Sequence, residues 1–158
     1  MKTLIVYASK HGSAEKAANK LYQNLEDDKE IVNIQENSKP FIDNFDTVVI
    51  GGSIYGGNIQ KEIQKFINDN LNTLLDKRIG LYLCCGIEKD FEKQLENSIS
   101  EKLLAHTAVV GYFGYEYNID KMNFLEKTMV KFVAKDKAGK SNLIDENIEE
   151  FARKIQGE

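Results

Sequence analysis

TLIVYASKHGSAEKAA, residues 3–18, decides how this chain folds. Its first part, Thr3–Ala8, is an unbroken β-rich run with no polar alternation, the mark of a strand covered on both faces. From Ala14 the period changes. Ala14, Ala17, Ala18, Leu21 and Leu25 fall on one helical stripe. Between strand and helix lie only Ser9, Lys10, His11, Gly12 and Ser13. Gly12 takes a positive φ at no steric cost. The loop feeds straight into a helix N-terminus, where unpaired N–H groups and the helix dipole favour an anion. Two readings stand: a phosphate cradle, or a tight turn with Ser13 as N-cap.

The same strand-then-helix alternation continues. Strands are expected at Glu30–Ile34, Thr47–Gly52, Ile79–Cys85 and Ala108–Tyr115. Ile59, Ile63, Phe66, Ile67 and Leu71 mark a second helix, and Phe91, Leu95, Ile99 and Leu103 a third. Ile144, Ile148, Phe151, Ala152 and Ile155 mark the last. Apolar strands separated by amphipathic helices predict an α/β fold, a parallel sheet with helices on both faces. Five strands joined by right-handed crossovers favour the order 2-1-3-4-5. One segment exceeds that plan. Lys121–Lys135 predicts an extra helix between strand five and the last helix, with Met122, Leu125, Met129, Phe132 and Val133 on one face. The chain has 158 residues, which suits a single domain over 1–158.

Charge and composition exclude several functions. The formal net charge is −4, which argues against nucleic acid as the main partner. Arg78 and Arg153 are the only arginines. The two cysteines, Cys84 and Cys85, are adjacent, so no disulfide framework is expected and a reducing cytoplasm is implied. The N-terminal apolar run is too short for a signal segment, and no run approaches the roughly 20 apolar residues of a membrane span. No metal-ligand pattern stands out. The chain has no G-x-x-x-x-G-K-[ST] and no G-x-G-x-x-G after the first strand, which sets aside triphosphate and dinucleotide loops.

In a doubly wound sheet the ligand lies beyond the carboxyl ends of the strands, where their order reverses. Three loops fall there. The first is Ser9–Ala14. The second is Gly51-Gly52-Ser53-Ile54-Tyr55-Gly56-Gly57-Asn58, whose four glycines permit close backbone approach and whose Tyr55 offers a ring. The third begins at Cys84 and continues through Cys85, Gly86, Ile87 and Glu88. Both cysteines read as buried, unreactive residues, since a reactive thiol needs a depressed pKa and Glu88 opposes one.

With these loops in view, the chain resembles the flavodoxin superfamily. YASKHGSAEKAA stands where the family carries its FMN-phosphate loop, VVIGGSIYGG beside the flavin ring, and CCGIEKD at the third flavin loop. NFDTVVIGGSIYGG, the late NIDKMNFLEKTMVKFVAK and the closing IEEFARKI are similar to the long-chain branch that includes menaquinone-dependent protoporphyrinogen oxidase. The resemblance implies FMN as cofactor. Ser9, Lys10, His11, Gly12, Ser13 and Ala14 would ring its phosphate. Ser53, Ile54, Tyr55, Gly56, Gly57 and Asn58 would line the ribityl chain and ring, and Cys85, Gly86 and Ile87 would close the other side. No side chain is expected to be catalytic, because the flavin carries the redox chemistry. Implied partners are a quinone or porphyrinogen, or, for a one-electron carrier, a redox partner protein.

One departure matters. The family usually ends the first loop with a threonine, and here it is Ala14, a lost hydroxyl worth on the order of 1 kcal/mol. Lys10 or His11 would compensate by charge, with His11 otherwise expected as a solvated loop residue. The lysines at 121, 127, 131, 135, 137 and 140 accompany the insert. They read as a solvated face, or as a contact for a membrane surface, a quinone or an acidic macrocycle.

Overall fold

The computed structural model describes residues 1–26, 28–116, 119–133 and 141–158. Five parallel strands form the expected sheet. β1 (Lys2–Tyr7) lies between β2 (Asp28–Asn33) and β3 (Thr47–Tyr55). β5 (Arg78–Cys84) and β6 (Val109–Tyr112) extend the sheet beyond β3. The two-residue β4 (Asn58–Ile59) folds back antiparallel on the end of β3 and takes no place in the parallel order. Counting parallel strands alone, the order is the expected 2-1-3-4-5.

Alternation along the inner strands divides the core in two. Leu4, Val6, Val48, Ile50, Ile79, Leu81 and Leu83 face α2 (Lys61–Leu75), α3 (Phe91–Ser98) and α4 (Glu101–His106). Ile5, Tyr7, Val49, Tyr82 and Cys84 face α1 (Ser13–Asn24) and α6 (Asp145–Gln156). Phe151 of α6 sits close because Gly80 and Gly111 face it: a β-carbon on either would come within 2.7 Å of its ring.

Several expectations are corrected, among them Ile59, which lies in β4 ahead of the second helix. The helix read through Phe91–Leu103 is two helices, α3 and α4. Ser100 caps α4 by accepting from the Leu103 N–H at 3.4 Å, and the Ser98 hydroxyl accepts from Ile59 N–H at 3.0 Å. The strand read through Ala108–Tyr115 breaks at Phe113. Its second half, β7 (Gly114–Glu116), leaves the main sheet and pairs antiparallel with β8 (Ser141–Leu143). The strand read as ending at Gly52 runs on to Tyr55. The inserted helix is shorter than Lys121–Lys135: a 3-10 turn spans Ile119–Lys121 and α5 spans Phe124–Val133. Its expected apolar face does not hold at Leu125, which is 72% exposed. Met122 precedes α5 and is buried. The side chains of Met129, Lys131, Phe132 and Val133, and residues Lys135, Lys137 and Lys140, lie outside the described residues.

Candidate functional site

The strand order reverses between β1 and β3, so their carboxyl ends leave a crevice. The loop after β1 is built from its own polar groups. The Ser9 N–H donates to Gln35 Oε1 at 3.0 Å, and the Gly12 N–H donates to Ser9 Oγ at 3.0 Å. Gly12 caps α1 in the left-handed region, at φ 94°, without a side-chain cap. Lys16 N–H donates to Gly12 O at 2.9 Å and opens the helix. The N–H groups of Ser13, Ala14 and Glu15 have no carbonyl within the helix to receive them. Ser13 is therefore not the N-cap that the sequence suggested. Its buried hydroxyl donates to Glu116 O at 2.9 Å and accepts from Glu116 N–H at 2.7 Å. The loop is thereby tied to β7. From below, the fully buried Tyr82 hydroxyl donates to Ala14 O at 3.0 Å.

The second loop is a two-residue hairpin. Ile54 pairs with Ile59 and Tyr55 with Asn58, leaving Gly56 and Gly57 at φ 58° and 82°. Two positive φ values in succession are what such a hairpin demands. Gly51 and Gly52 have a different role from the expected close approach to a ligand. They lie within β3, where β-carbons would strike the Tyr82 ring and the Gln60 and Ile59 side chains. Gln60 bridges the strand ends: its Oε1 accepts from Ser53 N–H at 3.0 Å and its Nε2 donates to Ala8 O at 3.1 Å.

The three loops meet around a cavity of about 550 Å³. Ile54, Tyr55, Ile87, Tyr115 and Met122 give it apolar walls, and Lys10, His11, Gln94 and Glu126 bring polar atoms to it. His11 is 4% exposed, which corrects the expectation of a solvated residue. The Tyr55 ring meets it edge-on at 5.6 Å, and Glu126 of α5 closes over it, with Oε1 3.3 Å from His11 Nε2. Neither His11 nitrogen nor Gln94 Oε1 has a partner in good hydrogen-bonding geometry, although Glu126 stands beside His11; the Tyr55 hydroxyl faces those of Ser53 and Tyr115. Burial raises the Tyr55 pKa, although the neighbouring Tyr115 and Ser53 hydroxyls ease the shift. A larger cavity of about 640 Å³ adjoins, sharing Gly86 and Tyr115. The smaller one is the candidate site, because the unpartnered buried atoms collect there.

Glu126 is the charge that the sequence reading missed. Its carboxylate pairs with Lys10, and Oε2 accepts from the Asn123 N–H at 3.0 Å. These contacts, the Lys10 bond foremost, lower its pKa to about 2. The Glu126 N–H donates in return to Asn123 Oδ1 at 2.9 Å, a reciprocal cap at the start of α5. Both cysteines are buried, as expected. Burial first, then Asp90 and Glu88, pushes the Cys85 thiol up to about 11, and burial also raises Cys84, so neither is a thiolate nucleophile at neutral pH.

A flat heterocycle with polar edges and a phosphate tail fits these features. The walls are largely apolar, buried polar atoms collect there, and two of the lining residues, Lys10 and His11, lead directly into the turn that opens α1. Residues 4–143 match the sequence profile described as "Flavodoxin domain". The chain belongs to the flavodoxin domain family. It is 31% identical over 122 residues to an uncharacterized protein of Methanocaldococcus jannaschii, covering 73% of this chain and 79% of that one. It is 23% identical over 175 residues to protoporphyrinogen IX dehydrogenase [quinone] of Escherichia coli, covering 98% and 94%. Its fold is similar to the flavodoxin of Streptococcus pneumonia TIGR4, with a TM-score of 0.58, 18% identity, and coverage of 99% and 98%.

Within this flavodoxin fold, nine of the candidate residues line the one cavity: Lys10, His11, Ile54, Tyr55, Gly56, Gly57, Cys85, Gly86 and Ile87. Ser9, Gly12, Ser13 and Ala14 form the adjoining turn at the start of α1. Ser53 is fully buried in β3, and the exposed Asn58 turns its amide to Gly56 O at 3.4 Å; neither lines the cavity. Gln94, Tyr115, Met122 and Glu126 line it without having been foreseen.

Proposed function

We propose that this flavodoxin-family protein binds FMN in the cavity at the three loops and passes electrons through it to a quinone, acting on a porphyrinogen-like donor. The observation that carries the reading is the coincidence of an apolar cavity, unpartnered buried polar atoms and a helix N-terminus at the reversal of strand order. The finer assignment draws on similarity to the Escherichia coli dehydrogenase across 98% of the chain, inserted segment included. The N–H groups of Ser13, Ala14 and Glu15 would hold the phosphate, with Lys10 and His11 beside them. Tyr55, Ile54, Ile87 and Met122 would flank the ring and exclude water. The Gly56–Gly57 turn, with open space where β-carbons would be, presents backbone groups to the ring's edge. When bound, FMN supplies the electron-transfer chemistry that no side chain here provides.

The purified protein should be yellow and release FMN, identified by mass, on denaturation. It should then oxidise protoporphyrinogen with a quinone as acceptor. A colourless protein that refuses added FMN would overturn the reading. A second reading, a one-electron carrier for a redox partner protein, is favoured by the exposed Glu88 on the third loop and by the acidic net charge, which suit a basic partner. FMN binding without porphyrinogen turnover would select it.

Phe124 and Leu125 are 83% and 72% exposed at the start of α5, beside Lys121. Among the described residues no helix is long and apolar enough to cross a membrane. We read this corner as a peripheral contact with an anionic lipid surface. Wild type should co-sediment with phosphatidylglycerol vesicles more than a Phe124→Ser, Leu125→Ser variant; equal sedimentation would reject the contact.

A further inference from the structure

The inserted segment brings opposed charges to the first loop. Lys121 ends the 3-10 turn, and its ammonium lies 3.5 Å from where a β-carbon on Gly12 would stand. It therefore hangs over the residue that opens α1, where the unpaired N–H groups and the positive end of the helix dipole already gather. Glu126 approaches the same loop from α5. It engages Lys10 and stands 3.3 Å from His11 Nε2. His11 is 4% exposed, and neither ring nitrogen has a hydrogen-bond partner in good geometry. A buried ring whose polar neighbour is the Glu126 carboxylate, at a cationic loop, marks a place that receives negative charge.

We propose that the inserted segment is a charged clamp that sets the site's preference for a phosphorylated over an unphosphorylated flavin: Lys121 draws the phosphate in, and Glu126 opposes it by occupying Lys10 and His11. The clamp rests on the FMN reading above. Ala14 offers the loop an N–H but no hydroxyl, and Lys121 makes up the lost contact from the opposite side. Glu126 keeps its charge at neutral pH, since Lys10 and the Asn123 N–H hold its carboxyl down. The other nearby pair, Lys16 with Glu116 at 2.5 Å, is already closed across α1 and β7. Neutralising Glu126 therefore releases Lys10 and His11 to a phosphate.

Riboflavin is the internal control, because it carries the ring without the phosphate. Dissociation constants for FMN and riboflavin are measured by flavin fluorescence quenching on the full chain, as wild type, Lys121→Gln and Glu126→Gln. Glutamine at 126 retains the side-chain oxygen that the reciprocal cap needs. Lys121→Gln should weaken FMN about fivefold with riboflavin unchanged. Glu126→Gln should tighten FMN by about the same factor, and change riboflavin by less than it changes FMN. Both changes should shrink at about 1 M salt. A merely structural role would move the two flavins together and in the same direction in both variants. That result, or unchanged FMN affinity in either variant, overturns the clamp. Failure of wild type to bind either flavin would overturn the cofactor reading itself, and the clamp with it.

Discussion

Gly51→Ala should lower the unfolding free energy by about 3 kcal/mol, read as a lower urea midpoint with an unchanged slope. Gly51 and Tyr82 are direct partners across β3 and β5. A β-carbon on residue 51 would lie 1.8 Å from Tyr82 Cζ and 1.9 Å from Cε1. The ring cannot step aside. It stacks on Phe113 at 4.6 Å with planes 12° apart, and Phe113 in turn meets Phe151 edge-on at 5.3 Å. Its hydroxyl is also committed to Ala14 O. Overpacking a tight core costs about 1–3 kcal/mol and occasionally more, and the strained hydroxyl contact adds about 1 kcal/mol. Tyr82→Leu removes the obstructing ring, so the double variant should be less destabilised than the sum of the singles, by about 1–2 kcal/mol. Additive losses, or a Gly51→Ala protein as stable as wild type, would refute this seat for the ring. Because Tyr82 supports the first turn of α1, the residue that fills the core also braces the first loop.

That brace shows where sequence reading stops. The parallel order was legible because Leu4–Ala8, Val48–Ile50 and Leu81–Leu83 are apolar at successive positions and alternate with amphipathic helices, as a sheet covered on both faces requires. The place of the candidate cavity followed, since the reversal of strand order depends on topology alone. Side-chain roles set by distant partners did not follow. Gly51 and Gly52 looked like loop glycines until the strand register placed Tyr82, Ile59 and Gln60 against them. Ser13 looked like a cap, but Glu116, 103 residues away, takes its hydroxyl. The pattern Asn123-Phe124-Leu125-Glu126 did carry a readable capping signal, which would have started α5 at Phe124 and fixed one carboxylate. That this carboxylate reaches Lys10, 116 residues earlier, is a tertiary fact with no local trace. The burial of His11 has the same origin, since α5 and Tyr55 cover it.

Gly114→Ala should be comparably costly, about 3 kcal/mol, but its damage should be local to the site. Gly114 has φ 77°, where a side chain costs about 1–2 kcal/mol. Its β-carbon would also lie 2.0 Å from the Asn142 backbone oxygen, and a paired backbone yields far less readily than a side-chain tip. The residue stands at the bend where the chain leaves the main sheet, so relief must come from parting β7 from β8. That separation would strain the Ile144 N–H bond to Phe113 O, 3.0 Å long, and the Ser13–Glu116 bonds that tie the first loop. It would also release Tyr115 from the cavity wall. Amide exchange should therefore quicken at Glu116 and Ile144, while β1, β3 and β5 keep their protection. Flavin should be retained less well than in Gly51→Ala at matched loss of stability, because Gly114 opens the strand that carries both Tyr115 of the cavity wall and Glu116, which ties the first loop. Unchanged exchange at Glu116 and Ile144 would mean that the β7–β8 ribbon does not hold the first loop, which would then rest on the Tyr82 brace and the Ser9–Gln35 bond.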